Sequence, residues 1–357
     1  MVRFSDVLTI VNGRNQKNVE NKNGQYPIYG SGGIMGYADK YLCEADTVII
    51  GRKGSINNPI YVKEPFWNVD TAFGLVADKT VLLPKYLYYF CVKFDFNALN
   101  TTVTIPSLTK ANLLNIEMVL PTIEEQTIVV NSLDKIVNII DMRKQQLQKL
   151  DELVKVRFVE MFGDVNVNDK GWVVKPLGEL CTIVRGGSPR PIDKFLGGDV
   201  PWIKIGDATE GENIYLTSTK EHIIQDGVSK SRLVKSGSLI FANCGVSLGF
   251  ARIITFDGCI HDGWLAMEDI DSSIDKVFLL QVLNQMTKHF REIAPAGTQP
   301  NLNTSIMKAY KQIIPPMNLQ KEYIAFVEQI DKSKLYVQKS LEKLETLKKA
   351  LMQKYFG

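Results

Sequence analysis

Residues 121–163 read PTIEEQTIVVNSLDKIVNIIDMRKQQLQKLDELVKVRFVEMFG, with no proline or glycine between the two ends. Apolar side chains return at Leu133, Ile136, Ile140, Leu147, Leu150, Val154, Phe158 and Met161, in steps of three, four or their sum. That spacing is the seam of a helix packed along another helix. A helix of this length is longer than a small domain is wide, so it serves as a spacer. Its partner lies 194 residues on, where residues 315–357 read PPMNLQKEYIAFVEQIDKSKLYVQKSLEKLETLKKALMQKYFG. Superposed, Pro121 meets Pro315, Gln126 meets Gln320, Ile136 meets Ile330, and Phe162-Gly163 meets Phe356-Gly357. Val327, Ile330, Val337, Leu341, Leu344 and Leu351 continue the seam, which Lys334 and Lys348 interrupt. The register extends upstream: Thr104, Pro106 and Leu108 meet Thr298, Pro300 and Leu302. Residues 104–163 and 298–357 share 13 identities in 60 ungapped positions, which marks an internal duplication.

The earlier parts repeat as well. FSDVLTIVNGR at 4–14 resembles LGELCTIVRGG at 177–187, with Ile10 on Ile183 and Gly13 on Gly186, an offset of 173. DTVIIGRKGSI at 46–56 lies over GSLIFANCGVS at 237–247, and NVDTAFGL at 68–75 over CIHDGWLA at 259–266, both at offset 191. Copy two therefore holds about 18 additional residues before Ser238. Short runs rich in Val, Ile, Tyr and Phe at 26–29, 47–50, 60–62 and 71–76 predict strands. Residues 84–93, PKYLYYFCVK, predict a helix with proline in its first turn, and residues 276–289 are its counterpart. Each copy is thus a mixed α/β globule that ends in one long helix. Two such helices side by side would face opposite ways if the copies are related by a pseudo-two-fold.

Composition narrows the function. The chain has 357 residues, 45% of them apolar and 23% charged, as in ordinary globular proteins. No apolar run reaches the length of a membrane span. Five cysteines without a CxxC pair are expected to be free thiols in a reducing cytoplasm. Three scattered histidines offer no zinc pattern. The net charge is only +3, so a basic face for nucleic acid has to come from local clustering.

Two loops per copy carry the chemistry. GRKGSINN at 51–58 offers Arg52 and Lys53 to phosphates, and Ser55, Asn57 and Asn58 with Arg52 to base edges. Its counterpart NCGVSLG at 243–249 keeps the glycine frame but presents Asn243 and Ser247. The alternative is a plain surface turn. The glycine-rich stretch 31–36 contributes Ser31; it lacks the Lys-Ser/Thr of a phosphate-binding P-loop. In copy two the matching region holds Ser188 and Arg190, and Lys204 is grouped with them. The polar loops before the long helices add Ser107 and Lys110 in copy one and Gln299, Asn301 and Asn303 in copy two, although helix capping explains such residues equally. Asn58-Pro59-Ile60-Tyr61 partly resembles the Asn-Pro-Pro-Tyr of amino-methyltransferases, but its third position is broken and copy two has no equivalent.

Pro121, Glu124, Glu125 and Gln126 opening the helix to Phe162-Gly163, Trp172 with the start at 177–187, the glycine-framed loops and the second long helix together resemble the specificity subunits of type I restriction–modification systems. Asn318 and Leu319 depart from the pattern, standing where copy one has two glutamates. The resemblance implies an α/β (α+β) architecture of two tandem target recognition domains, at 1–120 and 164–312, separated by long antiparallel coiled-coil helices at 121–163 and 313–357. It implies that each domain reads one half of a split, asymmetric site in double-stranded DNA. It further implies that the helices set the spacing and dock two methyltransferase subunits, and that motor–nuclease subunits join for restriction. The chain itself would be non-catalytic, with S-adenosylmethionine on the methyltransferase partner, and it would be cytoplasmic. Two rival readings are a DNA methyltransferase in its own right and a coiled-coil scaffold indifferent to DNA.

Overall fold

The structure, a computed structural model, describes residues 1–99, 107–209, 214–245, 247–295 and 300–357. It falls into two compact units, Met1–Gln146 with Tyr336–Gly357, and Leu147–Leu335.

Unit 1 contains β1 (Val2–Arg3), α1 (Phe4–Val7), β2 (Leu8–Asn12), β3 (Tyr26–Gly30), β4 (Gly33–Ala38), β5 (Thr47–Gly51), β6 (Ile60–Val62), β7 (Trp67–Asn68), β8 (Ala72–Ala77), α2 (Pro84–Lys93), α3 (Lys110–Leu114), β9 (Glu117–Met118) and the first half of α4 (Ile123–Phe162). Its sheets run β2-β8-β5-β6, β4-β3-β7 and β1-β9. The hydrophobic runs of β5 and β8 face a core of Phe4, Val48, Ile50, Leu75, Tyr86 and Phe90, which Leu133 of α4 closes.

Unit 2 contains β10 (Val173–Pro176), α5 (Leu177–Leu180), β11 (Thr182–Arg185), β12 (Leu196–Ile203), β13 (Tyr215–Leu216), β14 (Glu221–Ile223), α6 (Gln225–Val228), β15 (Arg232–Val234), β16 (Leu239–Ala242), β17 (Ala251–Ile254), β18 (Gly258–Ile260), β19 (Trp264–Glu268), α7 (Lys276–Gln285), α8 (Thr287–Ile293), α9 (Thr304–Ala309) and β20 (Lys311–Ile314), followed by α10 (Met317–Phe356). Its sheets run β11-β19-β16-β17-β13, β14-β12-β18-β15 and β10-β20. The unit 1 pattern recurs, with β13 and β15 added.

Each long helix has 40 residues, about 60 Å, and gives one half to either unit. Unit boundaries therefore fall inside the helices rather than at their ends. Within unit 1, Lys144 lies 3.8 Å from Glu345. Within unit 2, Arg157 bonds Glu322 at 2.9 Å and Lys334 bonds Asp151 at 2.7 Å. Numbers rise along one helix as they fall along the other, so the halves pack antiparallel. Leu133, Ile136, Ile140, Val154, Val327, Ile330, Val337 and Leu341 are buried; Leu147, Leu150, Leu344 and Leu351 are half-buried. In unit 2 the seam ends in an aromatic cluster, with Phe162 edge-on to Phe278 at 4.9 Å and to Tyr323 at 5.4 Å.

One polar device recurs at the start of both long helices. Gln126 is 0% exposed. Its Oε1 accepts from Leu83 N at 2.8 Å, and its Nε2 donates to Val81 O at 2.8 Å and Pro121 O at 2.9 Å. Gln320, also 0% exposed, accepts from Asp275 N at 2.8 Å and donates to Ser273 O and Pro315 O at 2.9 and 2.7 Å. Both glutamines thus staple the turn before the preceding helix to the entry of the long one. The repeated glycines Gly13 and Gly186 also have a cause. A Cβ there would sit 1.8 Å from Val69 O or 2.2 Å from His261 O, so only glycine admits the crossing backbone.

Two sequence expectations change. Helix 276–289 is broken at Met286 into α7 and α8. The alignment of 68–75 on 259–266 slips by one: β2 pairs Ile10 with Leu75, and β11 pairs Ile183 with Met267, so the offset there is 192. A one-residue slip reverses which side chains face the core, and only strand pairing fixes it.

Candidate nucleic-acid interface

In unit 1, β5 runs into loop 51–58, which turns at Gly54 with φ +76. Arg52 N donates to Thr71 O at 2.7 Å, and Arg52 O accepts from Leu108 N at 2.9 Å. Lys53 forms a β-bridge with Ser107. The loop before α3 is thereby joined to the loop after β5. Ser31, on the β3–β4 hairpin, packs on Gly51, where an added Cβ would lie 2.9 Å from the serine's own. Ser31, Arg52, Lys53, Ser55 and Ser107 come together on one face, and Arg52, Lys53, Ser55 and Asn58 are exposed. The Arg52 guanidinium lies 5.8 Å from the Phe73 ring centre.

Unit 2 repeats this joint with other residues. Asn243 O accepts from Leu302 N at 2.8 Å, Gly245 N donates to Pro300 O at 3.2 Å, and Cys244 bridges Asn301. Gly245 also has φ +76. The framework consists of main-chain hydrogen bonds and a glycine in the left-handed region, so it tolerates any side chain on the loop surface.

Several of the expected base readers also hold the fold. Asn243 is 0% exposed and donates from Nδ2 to Asn301 Oδ1 at 3.1 Å and Leu302 O at 3.2 Å, so it fastens the two loops and does not reach the surface. Asn303 caps α9 by accepting from Ile306 N at 2.9 Å. Asn57 accepts from Phe96 N and donates to Asp95, both at 2.7 Å. Lys110 donates to Ile10 O at 2.9 Å. Lys204 pairs with Glu221, its ammonium 5.3 Å from the Trp202 ring centre. Ser247 is half-buried beside the turn. Gln299 lies outside the described residues.

A polar cluster in unit 2 that sequence reading missed surrounds Asp262. Ser188 Oγ donates to Asp262 Oδ1 at 2.9 Å, Arg190 lies 3.5 Å from Oδ2, and Arg185 Nε donates to Asp262 O at 3.0 Å. His261 Nδ1 accepts from Gly263 N at 2.9 Å and Nε2 lies 2.9 Å from Asp262 Oδ1, the geometry of a neutral ring protonated at Nε2. Burial, helped by Lys204, Arg190 and Arg185, holds the His261 pKa below its ordinary 6.5 against the pull of Asp262. Burial raises the Asp262 pKa, but the Ser188 hydroxyl and the charges of His261, Arg190 and Arg185 outweigh it and hold the carboxyl below the usual range. The His-Asp pair in CIHDGW was the available signal. Among the described residues no helix is long and apolar enough to cross a membrane, and no group of side chains is arranged to hold a metal.

Two α/β units built on one frame, with different chemistry on corresponding loops, define a two-module recognition protein. Residues 1–152 and 169–346 match the type I restriction modification DNA specificity domain, and the chain belongs to that family. It is accordingly a DNA sequence-specificity subunit of type I restriction–modification. It is 24% identical over 347 residues to a putative type I restriction enzyme specificity subunit of Haemophilus influenzae, covering 92% of this chain and 86% of that one. It is 24% identical over 331 residues to the type I restriction enzyme MjaIX specificity subunit of Methanocaldococcus jannaschii, covering 85% and 74%. The fold matches the crystal structure of the type I restriction–modification S subunit from M. genitalium with TM-score 0.63 at 18% identity, over 100% of this chain and 95% of that chain.

Proposed function

We propose that each unit reads one half of a bipartite, asymmetric DNA site, that the helix pair sets the distance between the halves, and that methyltransferase subunits dock on the helices. The carrying observation is the conserved loop joint with divergent surface. Unit 1 presents Arg52 and Lys53, whereas unit 2 has Asn243 and Cys244 at those positions and gathers Arg185, Ser188 and Arg190 around Asp262 instead. Cations and hydrogen-bonding side chains placed differently on one frame favour two different half-sites. Exposed apolar residues Ile128, Ile139, Met142, Leu153 and Val156 recur along one face of α4, away from the seam, and supply a surface for a partner helix. In this reading the chain does no chemistry; S-adenosylmethionine sits on the methyltransferase, and motor–nuclease subunits join for restriction in the cytoplasm. The test is a methylome. The chain is co-expressed with the methyltransferase subunit of its system in a host free of other DNA methylation. Modification at one split, asymmetric motif that disappears without this chain supports the proposal. Modification that persists without it overturns it.

A further inference from the structure

An open cleft of about 370 Å³ lies in unit 2 along the free edge of β17. β13 covers only Ile253 and Ile254 of that strand, which leaves Ala251 with an unpaired edge. Its N–H is taken by Asn284 Oδ1 at 2.7 Å, and its carbonyl accepts from Arg252 Nη1 at 2.8 Å. That bond uses one of the five guanidinium donors. Arg252 Nε is buried without a partner, and the residue is only 8% exposed. No carboxylate lies within ion-pair distance of it among the described residues; the Phe250 ring, 4.9 Å away, is its neighbour. Burial lowers the guanidinium pKa to about 10, so the charge persists at neutral pH. A buried, unpaired cation is costly unless an anion completes it.

The acids of the cleft do not supply that anion. Lys334 holds both, Asp151 at 2.7 Å and Asp331 at 3.3 Å. Lys155 at the rim is exposed and makes no ion pair among the described residues. Gln281, 7% exposed, faces the cleft with an amide that makes no hydrogen bond among the described residues. The fold does not require this polarity. The strand register places Ile60 of unit 1 where unit 2 has Arg252. The helix repeat places Val137 and Ile140 where unit 2 has Asp331 and Lys334. Unit 2 thus carries charged side chains where unit 1 has apolar ones.

We propose that this cleft binds a small phosphate-type oxyanion, with Arg252 as its anchor and Lys155 and the Gln281 amide as further donors. The test is calorimetric titration of the full chain with inorganic phosphate, against sodium chloride at matched ionic strength. Wild type should bind phosphate saturably at one site. Arg252→Met should weaken binding about tenfold or more, the loss expected for a charge-assisted bond. Lys155→Gln should weaken it about two- to threefold, as an exposed charge does. No saturable phosphate heat in the wild type overturns the proposal, and so does an Arg252→Met protein that binds as tightly as wild type. Should Arg252→Met fail to fold, Lys155→Gln and Gln281→Leu decide: weakened binding supports the site, and unchanged affinity in both overturns it.

Discussion

Replacing Gln126 with methionine keeps the length and approximate volume of the side chain and removes all three of its hydrogen bonds. Leu83 N, Val81 O and Pro121 O would then be left without partners around a side chain that is 0% exposed. Each buried main-chain group left unsatisfied costs about 1–3 kcal/mol. Water entering at the helix start offsets part of this, so the lower bound applies, about 3 kcal/mol for the three groups. Gln320 makes the corresponding three bonds, and Gln320→Met should cost the same to within about 1 kcal/mol. Hydrogen exchange read by mass spectrometry separates the two units, because peptides from residues 79–93 and 271–285 report on one unit each. Gln126→Met should speed exchange in the first set, and Gln320→Met in the second, by roughly a hundredfold. A change below about threefold would show that the staple is incidental to the stability of the helix start. So would loss of protection confined to the long helix with the preceding turn intact.

Other outcomes follow from particular side chains. Lys53→Ala should weaken binding of the assembled complex to any duplex and lower the slope of log K against log salt by about one; an unchanged slope would place Lys53 away from DNA. Because the His261 pKa is lowered in the folded chain, the unfolded chain takes up more protons as pH falls through 6.5, and stability drops in that window. His261→Gln should flatten the urea midpoint of unit 2 between pH 7.5 and pH 5.5, and an equally steep decline in the variant would exclude this ring as the source. One heptad inserted after Gln146 and another after Leu335 preserves the seam and lengthens the pair by about 10 Å. Methylome sequencing should then find the unread gap about three base pairs longer, with both half-sites unchanged; an unaltered gap would refute the role of the helices as a ruler.

The long helices were legible because a seam repeated over 40 residues outweighs local noise, and because the same pattern recurs 194 residues later. α2 was legible from Pro84 at its first turn. The break at Met286 was not, since no glycine or proline interrupts KVFLLQVLNQMTKHF; Thr287 Oγ1 donates to Gly249 O at 2.6 Å, a tertiary bond no local pattern announces. The joined loops were legible, and the partners of their side chains were not. Residue type marked Asn57, Asn243 and Asn303 as base readers, but an asparagine's partners are set by whichever groups folding brings into reach, here at 3.2 Å from 59 residues away for Asn243.

The same contrast explains the uneven strength of the repeat. The bonds common to both units run between main-chain atoms, Leu108 N to Arg52 O and Leu302 N to Asn243 O, or from the two buried glutamines to main-chain atoms. Such bonds constrain the path of the chain and the identity of a glycine or a glutamine, and they leave the loop surfaces unconstrained. Copies under that constraint retain Gln126 and Gln320, Gly54 and Gly245, and the helix seam, while Arg52 and Lys53 in one face Asn243 and Cys244 in the other. A frame that fixes backbone and releases side chains is what reading two unlike half-sites with one fold requires. It also makes the exposed loop side chains that hold no part of the frame, Arg52, Lys53 and Ser55 among them, the places where substitution should change which sequence is read while leaving stability nearly untouched.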